Sequence, residues 1–168
     1  MAGPRRKVTR PTLPGGATTI GWREYVRLPG LGIGPVIAKV DTGARTAALH
    51  AVNIAILGQS DGRTVQFDAV IDEDNHAVRR CLLPLHGVKR VKNSSGATEE
   101  RCVVETELEI GDRRWSVLVT LTDRGDMGVP MLIGRSAVRG RFIVDPGRSF
   151  LLSAAPEPEH KTSRKPVS

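Results

Sequence analysis

Aromatic residues are scarce: three Phe, two Trp and one Tyr in 168 residues, or 4%. Proteins that bind single-stranded nucleic acid stack bases on such rings, so that class loses its usual hardware. Cysteine is rarer still, with only Cys81 and Cys102 and no Cys-x-x-Cys pair. That usage fits a reducing compartment rather than a disulfide scaffold, and both read as small buried hydrophobes. No apolar run reaches the length needed to cross a bilayer. The basic start MAGPRRKVTR is followed by Pro, Gly and Thr where a signal peptide needs an apolar stretch. A cytoplasmic protein without a membrane partner is expected. Two reactive motifs are missing as well. There is no His-Glu-x-x-His, and His50, His76, His86 and His160 are scattered, whereas a zinc hydrolase needs three converging ligands. No Gly-x4-Gly-Lys-Ser/Thr loop is present to cradle a nucleotide phosphate.

The formal charge of +7 would suggest nucleic acid if it lay on one folded face. Arg5, Arg6, Lys7 and Arg10 sit in an acid-free start, and residues 154–168 add Lys161, Arg164 and Lys165 against Glu157 and Glu159. The body between them is close to balanced, so no nucleic-acid partner is expected. Residues 1–16 and 154–168 are rich in Pro, Gly, Thr, Ser and charge and read as disordered tails. They flank one domain at 17–153, long enough to bury a core of its own.

Within that domain the pattern is short strands and turns: Thr19–Leu28, Gly34–Asp41, His50–Leu57, Thr64–Ile71, Arg79–Leu85, Val88–Ser94, Arg101–Ile110, Arg113–Thr122, Met131–Ile133, Arg141–Val144 and Phe150–Leu152. Glu105-Thr106-Glu107-Leu108-Glu109-Ile110 alternates strictly, and its glutamates should face water. Gly111-Asp112 then turns the chain into Trp115–Val119, and Asp61-Gly62 marks another hairpin. Helical periodicity is confined to Arg135–Arg139. The expectation is all-β and barrel-like, with projecting hairpins and one short helix.

One segment stands out chemically. Val36-Ile37-Ala38-Lys39-Val40 is an apolar strand that ends in Asp41-Thr42-Gly43-Ala44. An Asp-Thr-Gly triplet by itself is also a common strand-ending turn. Two further features accompany it. A Gly/Ser-tipped hairpin, Arg90–Thr98, carries Ser94, Ser95 and Gly96 at its tip. Beyond it, the apolar strand Met131-Leu132-Ile133 stops at Gly134-Arg135 before the helix. This order resembles that of retroviral-type aspartic proteases. It is closer to a bacterial family, retropepsin-like in fold, that carries the label "ATP-dependent zinc protease". The segments that resemble it are Val40–Thr46, Val88–Gly96, Leu121–Arg124, Pro130–Arg135 and Arg139–Pro146, and the likeness runs from about Ile20 to Leu152.

The resemblance implies a retropepsin-like acid-protease barrel and an aspartic endopeptidase, with Asp41, Thr42 and Gly43 as the catalytic triplet. Two carboxylates that share one proton must activate a water. The chain has no second Asp-Thr-Gly or Asp-Ser-Gly, so a homodimer would supply Asp41 twice. Thr42 would hydrogen-bond across the two loops, and Gly43 would let the backbone approach substrate. Ala44, Arg45 and Arg135 would line the substrate site. The hairpin with Ser94, Ser95 and Gly96 would be a closing flap, and the 122–130 loop a wall of the groove. Arg124-Gly125-Asp126 within it matches a cell-adhesion triplet, which is read as coincidence. Neither metal nor organic cofactor is expected. Neighbouring genes in this family often encode ATP-grasp peptide ligases, which implies an alternative role as a non-catalytic peptide-binding module that serves such a ligase.

One departure matters. In retroviral enzymes an acidic residue four positions after the Asp pairs with the Arg that Arg135 matches, but here that position is Arg45. Arg135 therefore needs another partner. Arg45, Arg90 and Lys92 could instead make the groove cationic and favour an acidic peptide or protein substrate.

Overall fold

Alternating apolar residues give each strand one inward face, and strands with one such face close most economically into a barrel. The structure, a computed structural model, describes residues 18–72, 74–93 and 95–156. The strands are β1 (Thr18–Gly21), β2 (Arg23–Leu28), β3 (Ile33–Asp41), β4 (Ala47–Leu57), β5 (Thr64–Asp72), β6 (Ala77–Pro84), β7 (Gly87–Lys92), β8 (Thr98–Ile110), β9 (Arg113–Thr122), β10 (Met131–Gly134) and β11 (Phe142–Asp145). One short helix, α1 (Arg135–Val138), follows β10, and 3-10 turns lie at Pro29–Leu31 and Gly125–Met127. The expected all-β, retropepsin-like barrel with one short helix is what forms.

Strands β10, β3, β2, β8, β9 and β4 are neighbours in that order, and β4 pairs back to β10, which closes the barrel. Its interior is filled by the inward residues of each strand, among them Val26, Leu28, Ala38, Leu49, Val104, Leu108, Val119, Leu121, Met131 and Ile133, all essentially without solvent contact. Each large aliphatic side chain so buried contributes about 1.5–3 kcal/mol. In β8 the glutamates at 105 and 107 face water while Thr106, Leu108 and Ile110 are buried, as their alternation predicts.

Two strands are long enough to serve two structures. The first part of β4, Ala47–His50, pairs with β9, and Ala48 and Leu49 also pair with β10 inside the barrel. At a bulge near Asn53, whose φ is 54°, β4 bends away and continues into a hairpin with β5, to which β6 is added. Likewise Val103–Ile110 of β8 belongs to the barrel, while Thr98–Val103 pairs with β7 to make a projecting hairpin.

The expected strand Thr19–Leu28 is in fact two. Strand β1 pairs in parallel with β11 in a separate sheet, and β2 pairs with β3. At the junction the Trp22 N–H donates to Arg148 O, and its carbonyl accepts Val40 N–H. Phe150–Leu152 is not a strand. The N–H groups of Leu151 and Leu152 donate to the carboxylate of Glu24, and those of Gly21 and Ser153 do the same. Phe150 N–H donates to Arg23 O, and with the next two donors committed to one side chain no ladder can continue. The predicted tails lie outside the described residues, apart from 154–156 at the C-terminal side. Among the described residues no helix is long and apolar enough to cross a membrane.

Candidate active site

Asp41 is the last residue of β3, at the mouth of the barrel. Its strand runs parallel to β10, with Asp41 beside Gly134. The loop 42–46 that follows is held from several directions. The Asp41 carboxylate accepts the N–H groups of Gly43 (3.0 Å) and Ala44 (3.3 Å), both on Oδ1. This leaves Oδ2 without a hydrogen bond among the described residues. From the other side, the N–H of Arg135 donates to Ala44 O and that of Ser136 to Arg45 O. The Arg135 guanidinium reaches across to Gly43 O at 3.1 Å and Thr42 O at 3.5 Å.

That last contact answers the question raised by Arg45. Arg135 needs no acidic partner, because backbone carbonyls of the Asp41 loop take its place. Gly134 has its own reason to be glycine, since a Cβ there would lie 2.5 Å from the Thr46 backbone. At Gly43 a Cβ would press within 3.2 Å of the Asp41 carboxylate. The absence of a side chain at Gly43 therefore protects the geometry of Asp41 itself. Asp41, Thr42 and Gly43 are exposed in the single chain, and among the described residues the side chain of Thr42 makes no hydrogen bond while its carbonyl accepts from Arg135.

Asp41 lines a cleft of about 260 Å³ together with Ala44, Thr46 and Ala48 of its own loop and the following strand. Val91, Lys92 and Asn93 of the β7–β8 hairpin lie over it, so the hairpin stands where a flap would. Lys89 ties this hairpin to the loop through its ammonium, which donates to Thr46 Oγ1 at 2.7 Å. At the tip, Asn93 Oδ1 accepts both the N–H and the hydroxyl of Ser95, and Gly96 turns with φ 86°. Ser94 lies outside the described residues. Thr122, Arg124 and Met127 supply another wall from the 122–130 loop. That loop is pinned by buried His50, whose Nδ1 lies 3.2 Å from the Arg124 N–H. Arg124 and Asp126 form an ion pair with each other. The guanidinium holds the Asp126 carboxyl below the usual carboxylate range, and the Arg-Gly-Asp triplet is closed on itself.

The cationic residues of this cleft differ from the expected set. Lys92 is in it, but Arg90 faces outward in an exposed pair with Glu100. Arg45 lines a separate depression with His86, Val88 and Lys89. In their place stand Arg124 and Arg101. Sequence reasoning missed Arg101 because it sits in mid-strand, where an arginine reads as solvated. The one available signal was register: positions 101 and 103 share a face of β8, and Val103 is buried.

Among the described residues no group of three or more His, Cys, Asp or Glu side chains is gathered where it could hold a metal ion. The donors among these residues therefore do not make up a catalytic zinc set.

Residues 19–154 match the model of a family described as "RimB-like: Retropepsin-like aspartic endopeptidase RimB". The chain belongs to this RimB-like family. Two curated relatives carry the name "Probable alpha-L-glutamate ligase". The one from Parasynechococcus marenigrum is 40% identical over 134 residues, 79% of this chain and 29% of that protein. The one from Shewanella pealeana is 37% identical over the same length and shares. The chain thus spans less than a third of these relatives. A crystal structure of Lpg0085 from Legionella pneumophila, a protein of unknown function, superimposes with a TM-score of 0.65 at 28% identity. The match covers 81% of this chain and 98% of that one.

Proposed function

We propose that this protein is an aspartic endopeptidase, active as a homodimer in which two copies of Asp41 hold one water between them. The observation that carries this reading is the half-committed carboxylate: Oδ1 is fixed by two backbone donors, while Oδ2 is left for chemistry in a cleft beneath a hairpin. In the pair, the charged carboxylate takes a proton from water as that water attacks the amide carbon. The protonated partner donates to the carbonyl oxygen. Each carboxylate belongs to a coupled pair, and the proton is a property of both. A single-chain cleft of this size is smaller than most ligand pockets, in keeping with a groove that two subunits complete. In such a dimer the hydroxyl of exposed Thr42 would cross to the partner loop and hold the carboxylates in one plane. Closure of the β7–β8 hairpin would exclude bulk water from the reaction.

The substrate is a peptide or protein, and acidic side chains suit the cleft. Lys92, Arg101 and Arg124 face the same space as Asp41. The relatives named as glutamate ligases point the same way, since the product of glutamate ligation is an acidic peptide. Those names also favour a second reading, in which the domain holds such a peptide for a ligase without cutting it.

Peptide cleavage by wild type and by Asp41→Asn, each with and without a chelator, separates these readings. The expected result is cleavage that chelator leaves intact and that Asp41→Asn abolishes. Activity that survives the substitution but disappears with chelator would replace the aspartic mechanism with a metal one. Peptide binding without cleavage by wild type would favour the holding role. Sedimentation analysis should show a dimer in the active sample.

A further inference from the structure

The three cations of the Asp41 cleft are not equivalent. Lys92 is exposed at the hairpin end, a flexible ammonium in water. Arg124 turns its fork onto Asp126, with Nε to Oδ1 at 3.2 Å and Nη2 to Oδ2 at 3.3 Å. Arg101 is different on both counts. Its side chain is 9% exposed, and its one carboxylate contact among the described residues places Nε and Nη2 on a single oxygen of Glu99, at 3.3 and 3.1 Å. Its Nη1 amino group makes no hydrogen bond among the described residues.

Thr122 lines the same cleft. It is 1% exposed, and its hydroxyl has no hydrogen-bond partner among the described residues. Buried polar atoms are nearly always paired in folded proteins, so an orphan that borders a cleft points to a ligand. The rest of this part of the cleft is apolar, from Ala48, Met127 and Leu132.

We propose that Arg101 and Thr122 form a subsite that takes the carboxylate of an acidic substrate side chain, with the apolar residues against its methylene stem. Arginine suits this task because its planar fork offers parallel donors that match a carboxylate. Burial makes the contact selective. A substrate carboxylate brings the charge that the site lacks, whereas an amide of the same shape turns an NH2 group toward a guanidinium that can only donate. Glu99 partly offsets the cation in the free protein and competes for the same fork. This assignment rests on the reading of the Asp41 cleft as a peptide groove, and it names the residue that sets the substrate class.

The test uses the full chain with a Glu-rich peptide and its Gln counterpart. Wild type should prefer the Glu peptide in kcat/KM by about 10–100-fold, the worth of a charge-assisted hydrogen bond. Arg101→Met should bring that ratio to within about 2-fold of unity. Glu99→Gln should raise it, and this surface-side change keeps the question answerable if Arg101→Met fails to fold. Arg90→Gln, on the outer face of the hairpin, should leave the ratio unchanged. If Arg90→Gln lowers it as much as Arg101→Met, a general field is at work and the subsite is wrong. A ratio near unity in wild type, or one that survives Arg101→Met, also overturns the assignment while the peptidase reading stands. Equilibrium binding of both peptides to Asp41→Asn covers the remaining case. Preference for Glu there, without cleavage by wild type, would retain the subsite and discard the peptidase. Equal or absent binding would discard the subsite.

Discussion

Two carboxylates on neighbouring strands of this barrel have opposite fates. Glu24, on β2, is completely buried and receives the N–H groups of Gly21, Leu151, Leu152 and Ser153 as well as the Ser153 hydroxyl. Asp41, at the end of β3, is exposed, and its two donors both fall on one oxygen. The first acid spends its whole hydrogen-bonding capacity on its own chain, folding residues 149–153 back over the barrel, where Phe150 stacks on Tyr25. The second keeps half of its capacity for something outside the chain. Burial with full satisfaction is what a structural acid needs, and half-satisfaction at a cleft is what the proposed reaction asks of Asp41.

The comparison can be broken at the Asp41 end first. Asp41→Asn should cut peptide hydrolysis by about 10³-fold or more, the range for loss of a proton-transferring group. Its melting temperature should stay near that of wild type, because an exposed side chain is replaced by one of equal size. A large loss of stability would show that Asp41 is a second structural acid. Glu24→Ala should do the reverse. It strands several buried donors and should cost about 3 kcal/mol or more in denaturant unfolding, with proteolysis near residue 150 as an early sign. Wild-type stability in that variant would mean that the C-terminal segment is held by its aromatic contact alone.

Between these extremes lies Arg135→Lys. A lysine keeps the charge but cannot span the carbonyls of Thr42 and Gly43, so the Asp41 loop should loosen. A drop of about 10–100-fold in kcat/KM is expected, with little change in melting temperature. The smallest effect is expected at Asp68, on β5. Arg80 first, then Asn53, hold its carboxyl below the usual carboxylate range through hydrogen bonds. A lowered pKa in the folded state contributes stability above the unfolded value of about 4, and that stability is lost as pH falls through the folded value. Asp68→Asn should therefore be slightly less stable than wild type at pH 7, with the gap closing below about pH 4. A gap that persists in acid would assign the effect to packing rather than charge.

How legible was this molecule before folding? The barrel strands, the hairpins at Asp61-Gly62 and Gly111-Asp112, and the short helix follow from alternation and turn chemistry, and these are local properties. The break at Trp22 was not visible, because Thr19–Leu28 alternates well enough for one strand. What divides it is a set of bonds to residues more than a hundred positions later. For the same reason Phe150–Leu152 looked like a strand, although Glu24 claims the donors of Leu151 and Leu152 and Arg23 O takes that of Phe150. In the candidate site, the Asp41 triplet and the hairpin above it could be read directly, whereas Arg101, Thr122 and Lys89 could not.

The sequence by itself determined which faces of the strands are apolar, where the chain turns, and that an Asp-Thr-Gly ends an apolar strand. Side-chain size, backbone freedom and period act over a few residues, so no fold is needed to read them. Only the tertiary structure decided that Arg135 serves two backbone carbonyls, that Arg45 and Arg101 lie in different depressions, and that Glu24 rather than a strand partner holds the C-terminal segment. Those outcomes depend on the register with which distant strands close the barrel, and a shift of one residue would turn Glu24 on β2 and Arg101 on β8 to the opposite face.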